Sequence, residues 1–200
     1  MGCLLQMYPT ALRTLRHAIS GARPGELHPE HYRRRLMLSS EAVANYFIHK
    51  SFEKGVEVTP MKLIKLVYIA HGWHRGYFSQ NLISDAVQAW KYGPVIPELY
   101  RRIKHHRGHP IDCSIAGYGI AGDEKNPAPH PRTMELLEKV WSIHGKDDGL
   151  KLSALTHQPD TPWDRTWRLS GGARYQGAII PNEWIDQHYK EKIEASKLNG

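Results

Sequence analysis

The sequence predicts a mainly α-helical fold, a compact single-domain bundle of about six helices with at most a small β-hairpin. Three observations predict it. From residue 40 onward, apolar residues recur mostly at helical spacing. Pro60, Pro97, Pro162 and Pro181 stand where helices begin, and Thr59 and Thr161 precede two of them as capping residues. The clearest β-prone stretch is short, covering residues 87–95.

Each element follows from its own residues. From Ser40, Val43, Tyr46, Phe47 and Phe52 recur on one helical face, with Glu41, Asn45, Lys50 and Glu53 opposite. Ser39 or Ser40 caps the start of this helix and Gly55 ends it. Thr59-Pro60 then opens a second helix running through Met61-Lys-Leu-Ile-Lys-Leu-Val-Tyr-Ile-Ala-His-Gly-Trp-His74. Lys62, Lys65, Ile69, Gly72 and Gly76 share one narrow stripe, and apolar residues take the remainder. A helix of this kind is surrounded on most sides, which makes it the central one. The two glycines mark the close approach of another element.

Gln80-Asn81 is the exit from that helix. Val87-Gln-Ala-Trp90 and Tyr92-Gly-Pro-Val95 read as a small strand and a turn. Pro97 starts a third, strongly basic helix, with Leu99, Tyr100 and Ile103 inward and Arg101, Arg102, Lys104 and His105 outward. Gly108 with Pro110 stops it. Residues 111–131 have loop composition. Thr133 to His144 forms a fourth helix, with Met134, Leu137, Val140 and Trp141 inward, and Leu150 to Thr156 a short fifth. Thr161-Pro162 sets another start for a short helix through Trp167. A turn at Gly171-Gly172 leads to Ile179-Ile180, and Pro181 opens a last helix from Asn182 to about Lys197.

Bulk composition narrows the function classes. The chain has 200 residues, 40% of them hydrophobic and 24% charged, ordinary values for a folded protein with a real core. No apolar run reaches the roughly 18–20 residues needed to span a bilayer, so no membrane partner is expected. Cys3 and Cys113 are the two cysteines and form no close pair. A disulfide scaffold and a cysteine-rich zinc site are thereby excluded, and a reducing cytoplasm is the expected location.

The net charge of +7 fits an acidic partner or nucleic acid, but the charge is unevenly placed. Residues 1–36 hold six arginines against two glutamates, a surplus of +4, which leaves +3 for the other 164 residues. Those first 36 residues read as a basic flexible extension or an over-long start, with Met37 as the natural beginning of an ordered domain over residues 37–200. The acid-free stretch up to Pro24 has the arginine content of a transit peptide. The Met1-Gly2 start lacks the Ser or Thr that myristoylation wants at position 6.

Catalytic signatures are scarce. Gly117-Tyr-Gly-Ile-Ala-Gly122 matches G-x-G-x-x-G, but the following Asp-Glu-Lys-Asn-Pro-Ala-Pro-His-Pro131 cannot open the helix that a dinucleotide fingerprint requires. Thirteen histidines raise the question of metal. His71 and His74 lie three apart on a helix, and His105, His106 and His109 cluster near a helix end. No H-E-x-x-H spacing and no converging carboxylates or cysteines accompany them, so no metal site is expected. There is neither a G-x-S-x-G nor a P-loop. The expectation is a protein that binds rather than catalyses, with no cofactor. The basic helix could meet phosphates, yet it starts Pro97-Glu-Leu-Tyr100 where a DNA reader needs polar base-contacting residues. A nucleic-acid-binding regulator is therefore the second reading.

Read together, four blocks resemble the Panacea domain family, which also includes SocA-like and phage-associated GepA-like proteins. They are Val43-Ala-Asn-Tyr-Phe-Ile48, Met61 to Trp73, Ala89-Trp-Lys-Tyr-Gly-Pro-Val-Ile-Pro97 and Leu155-Thr-His-Gln-Pro-Asp-Thr-Pro-Trp163. The resemblance covers about residues 38 to 197, and its most specific block is Trp-Lys-Tyr-Gly-Pro-Val. It implies an antitoxin of a two-gene toxin–antitoxin pair that binds a toxin protein directly, the toxin being encoded by an adjacent gene. It also implies that some relatives hand the toxin to an ATP-dependent protease. Residues expected to bind the partner are Trp90, Lys91 and Tyr92 before the Gly-Pro bend, Arg101 and Arg102 on the basic helix, and His157 and Trp163 in the last block. Aromatic and cationic residues on a rigid bend suit interface hot spots, and the arginines suit steering toward an acidic surface.

Overall fold

Five of the described helices begin on a capping side chain. Ser39 accepts from the Ala42 N–H to open α1 (Ser40–Lys54), which ends at Gly55 in the left-handed conformation. Thr59 accepts from the Lys62 N–H, with Pro60 as first residue, to open α2 (Pro60–Phe78). The coordinates are a computed structural model describing residues 37–119, 128–172 and 177–198. The basic N-terminal extension and Ile120–Gly122 of the glycine-rich match lie outside the described residues.

The remaining elements are β1 (Gln88–Trp90), β2 (Gly93–Val95), α3 (Pro97–Ile103) with a 3-10 turn over Lys104–His106, α4 (Pro131–His144), α5 (Gly149–Thr156), α6 (Pro162–Leu169), β3 (Ala178–Ile179) and α7 (Asn182–Leu198). The described residues thus hold seven helices and one small sheet, a mainly α fold. Helix α4 begins two residues before Thr133, because Pro131 takes the first helical position and His130 Nδ1 accepts from the Arg132 N–H. Asp148 caps α5 and Thr161 caps α6 in the same manner.

Helix α2 is the central element: α1, α3, α4, α5, α7 and β2 all pack on it, and fourteen of its nineteen residues are buried. Its glycines serve close packing. A Cβ on Gly72 would lie 2.0 Å from Cε2 of Tyr189, and one on Gly76 would lie 2.8 Å from Cβ of Tyr189, so α7 lays an aromatic ring directly against the α2 backbone.

Two sequence expectations need correction. In α1, Glu41 and Asn45 are buried rather than facing solvent, while Phe52 is half exposed. The loop after the 3-10 turn covers that face. Asn45 Nδ2 donates to the carbonyls of Ile115 and Tyr118, and the Ile115 N–H donates back to Asn45 Oδ1 at 2.8 Å. The β-hairpin is also not alone. β3 pairs antiparallel with β1, giving the order β2-β1-β3 with Gln88 opposite both Val95 and Ile179.

Candidate functional site

The hairpin turns on two residues, Lys91 and Tyr92, between the paired Trp90 and Gly93. Both tip side chains face outward: Tyr92 is 63% exposed, and Lys91 Nζ lies 5.5 Å from the centre of its ring. Trp90 is half-buried. Its indole N–H donates to Gln88 Oε1 at 2.9 Å, and its ring meets Tyr100 edge-on at 5.2 Å, which fastens the hairpin to the start of α3. An aromatic and cationic tip therefore stands out of the fold beside a basic helix.

Beneath the tip, side chains from three helices hold its main-chain carbonyls. Trp163 of α6 donates from Nε1 to the Trp90 carbonyl at 2.8 Å. Lys65 of α2 donates from Nζ to the carbonyls of Tyr92 and Pro94, at 2.7 and 3.0 Å. Ser153 of α5 donates to the Tyr92 carbonyl at 3.1 Å. His157 Nδ1 lies 2.6 Å from the Ser153 carbonyl, the short contact that marks Nδ1 as the donor, while Nε2 lies 3.3 Å from the Lys91 carbonyl. Gly93 makes this approach feasible. Its φ is +100°, and a Cβ there would lie 2.5 Å from Lys65 Nζ and 2.7 Å from His157 Cε1.

The seven residues singled out from sequence thus separate by position. Trp90, Lys91 and Tyr92 form the tip; Trp163, 7% exposed, and His157 support it from below, their rings 4.0 Å apart. Arg101 is exposed and paired with Glu98, a pairing that contributes little at such exposure. Arg102 is engaged by its own fold: Nη2 donates to the Tyr118 hydroxyl at 3.0 Å and Nε lies 3.5 Å from the buried carboxylate of Glu41. Sequence reasoning missed Lys65 and Ser153 as parts of the site. Lysines at positions 62 and 65, on a helix otherwise so apolar, were the available signal.

Both lysines are buried. Burial pushes the Lys65 amine down to about 7, and among the described residues no carboxylate lies within ion-pair distance of it. Lys62 Nζ donates to the carbonyls of Glu57 and Gly145, and burial also lowers its pKa, against the pull of Asp147 and Asp148. His71 and His74 are core residues held neutral by burial, pushed down to about 3 and about 4. The His74 ring lies against the Gln80 carbonyl and the Thr133 hydroxyl, which accounts for both nitrogens.

The loop after α3 brings His106, Asp112 and Cys113 together, with ligand atoms within 4.8 Å of one another, a grouping that could hold a metal ion; Asp112 and Cys113 are exposed. The sequence reading grouped only the histidines there and missed the turn that folds residues 112–113 back. An open cleft of about 390 Å³ is lined by Tyr46, Lys50, Met134, Glu135, Glu138 and Lys139. Three of its polar groups pair with one another, Tyr46 donating to Glu138 at 2.7 Å and Lys50 lying 2.7 Å from the same carboxylate.

Against known proteins, residues 63–164, just over half of the chain, match the family model described as "Antitoxin SocA-like, Panacea domain". The matched span contains α2 from Leu63 onward, the hairpin, α3 to α5 and the start of α6. The chain is also 28% identical over 131 residues to a protein of Caulobacter vibrioides (strain NA1000 / CB15N) named "Antitoxin SocA", covering 64% of this chain and 69% of that one. No solved structure matches it.

Proposed function

The chain belongs to the SocA-like Panacea antitoxin family, and from that membership we propose that it neutralises a toxin protein by binding it directly through the hairpin tip. The toxin is the product of an adjacent gene, as in a type II pair, and the encounter takes place in the cytoplasm. Lys91 and Tyr92 enter the toxin surface, Arg101 steers the approach, and Trp163 and His157 hold the tip from within. The role is binding rather than catalysis.

One observation carries the reading: an exposed Tyr–Lys pair on a backbone whose carbonyls at Trp90, Tyr92 and Pro94 are already engaged inside the protein. A fixed loop loses little conformational entropy on binding, and aromatic and cationic residues dominate interface hot spots. With those acceptors occupied, the partner reads the tip by its side chains rather than by adding a strand. The chemistry that fits is an apolar pocket with an acidic rim, which accepts the Tyr92 ring and pairs with Lys91 and Arg101.

The test is co-expression of the neighbouring open reading frame with the full chain, scored for colony survival and for co-purification. Rescue with co-purification, both lost in the Lys91→Ala/Tyr92→Ala double variant, is the expected result. Rescue without association would remove direct neutralisation, and loss of toxin only when an ATP-dependent protease is active would mark delivery instead. Association that survives the double variant would move the contact away from the tip.

A further inference from the structure

Lys65 is buried to 2% exposure in the second turn of the central helix, and among the described residues no carboxylate lies within ion-pair distance of its amine. It donates instead to two carbonyls, Tyr92 and Pro94, on either side of Gly93. A buried amine without a counter-ion is costly, and well-packed apolar residues of similar size usually serve a core better. This cost is incurred at one place, under the two-residue turn that presents Lys91 and Tyr92. We propose that Lys65 is the positioning residue of this hairpin, fixing from inside the core the conformation in which the tip meets its partner. The inference rests on the reading of the tip as the docking point.

The geometry says what Lys65 does that packing alone would not. Two acceptors lie at hydrogen-bond distance, and a neutral amine has two N–H groups to give them. If the hairpin lifts, the amine reaches water, binds a proton and regains its ordinary pKa near 10.5. In the seated hairpin burial holds it near 7. The seated form therefore binds fewer protons than the lifted form between those values, and lifting becomes harder as pH rises through that window. Facing the amine, α5 brings the imidazole of His157, and the hairpin brings the main chain of Tyr92, Gly93 and Pro94. Lys91 and Tyr92, the titratable side chains of the turn, point to solvent. The part of the response that Lys65→Met abolishes is the part that belongs to Lys65.

The experiment is amide hydrogen exchange of the full chain without toxin, following the peptide that covers residues 91–96 from about pH 7.5 to 9.5, with intrinsic exchange rates divided out. Protection of that peptide rises by up to about tenfold per pH unit in the native chain. In Lys65→Met it is flat with pH and lower at every pH, while the protection of α7 is retained. A flat profile in the native chain, or the same rise in Lys65→Met, overturns the proposal. Lys65→Gln, which keeps donors but cannot titrate, is expected to recover protection without the pH response and serves if Lys65→Met fails to fold. A parallel measurement of toxin association for Lys65→Met and Tyr92→Ala separates the two ideas. A Tyr92→Ala chain that binds toxin as well as the native one refutes the docking reading, yet leaves the exchange result to decide the positioning role.

Discussion

Lys91 and Tyr92 differ from the other five residues of the candidate site in having solvent-facing side chains on a turn secured from below. The consequence is that substitutions around the hairpin should separate by mechanism. Arg101→Ala removes only an exposed pairing with Glu98, so the urea midpoint should stay unchanged while toxin association slows. Arg102→Ala leaves the buried Glu41 carboxylate without its guanidinium and should lower the urea midpoint. Gly93→Ala should be the most disruptive change at the turn. It combines a positive φ with a Cβ placed on the Lys65 amine, and an expected loss of about 1–3 kcal/mol in urea unfolding follows from strain and overpacking together. If Gly93→Ala unfolds like the native chain, the hairpin is not seated on Lys65 as described.

At the scale of elements, the fold is organised by what α2 admits on each side. Its glycine face takes α7 in close contact, and its lysines tie two loops through their carbonyls, Lys65 under the hairpin and Lys62 at the end of α4. Gly72→Ala puts a methyl group into the ring of Tyr189, which α7 cannot relieve without moving away. Denaturant unfolding should show a loss of about 1–3 kcal/mol. Because α7 lies outside the matched residues 63–164, this loss should leave the hairpin's exchange protection and toxin binding in place at temperatures where the chain is folded. Loss of toxin binding in a folded Gly72→Ala chain would show that α7 and the tip are coupled.

For the whole molecule, the buried bases set a pH range. The buried His71 and His74 and the half-buried His188 are pushed down to about 3, 4 and 4 by desolvation, below the ordinary value near 6.5. Their neutral burial contributes stability that is fully present above pH 6.5 and is lost as pH falls toward 4, because only the unfolded chain takes up the protons. Each steepens the fall by up to about 1.4 kcal/mol per pH unit. Lys65 acts in the alkaline window, where stability grows between about pH 7 and 10. Thermal stability should therefore climb toward about pH 10 and drop steeply below about pH 6; a flat profile from about pH 5 to 9 would contradict the burial of these groups.

Much of this was legible in the residues. Thr-Pro pairs mark helix starts because they satisfy free N–H groups locally, and the Gly72–Gly76 spacing announces a close neighbour. The tip was legible as well, since Tyr-Gly-Pro after an aromatic and a lysine allows few backbone paths. Its support was not, because carbonyl acceptors carry no sequence signature, and Lys65 read as part of a polar stripe rather than as a buried donor. The cover over Asn45 was hidden for the same reason, being made by main-chain groups about 70 residues away.

The central claim, that the hairpin tip binds the toxin, is tested most directly by calorimetric titration of the adjacent gene's product into the full chain and into its Tyr92→Ala variant. A one-site complex is expected, with an affinity that falls by at least about thirtyfold, some 2 kcal/mol, in a variant whose unfolding is unchanged. Equal affinity for the two chains would contradict it.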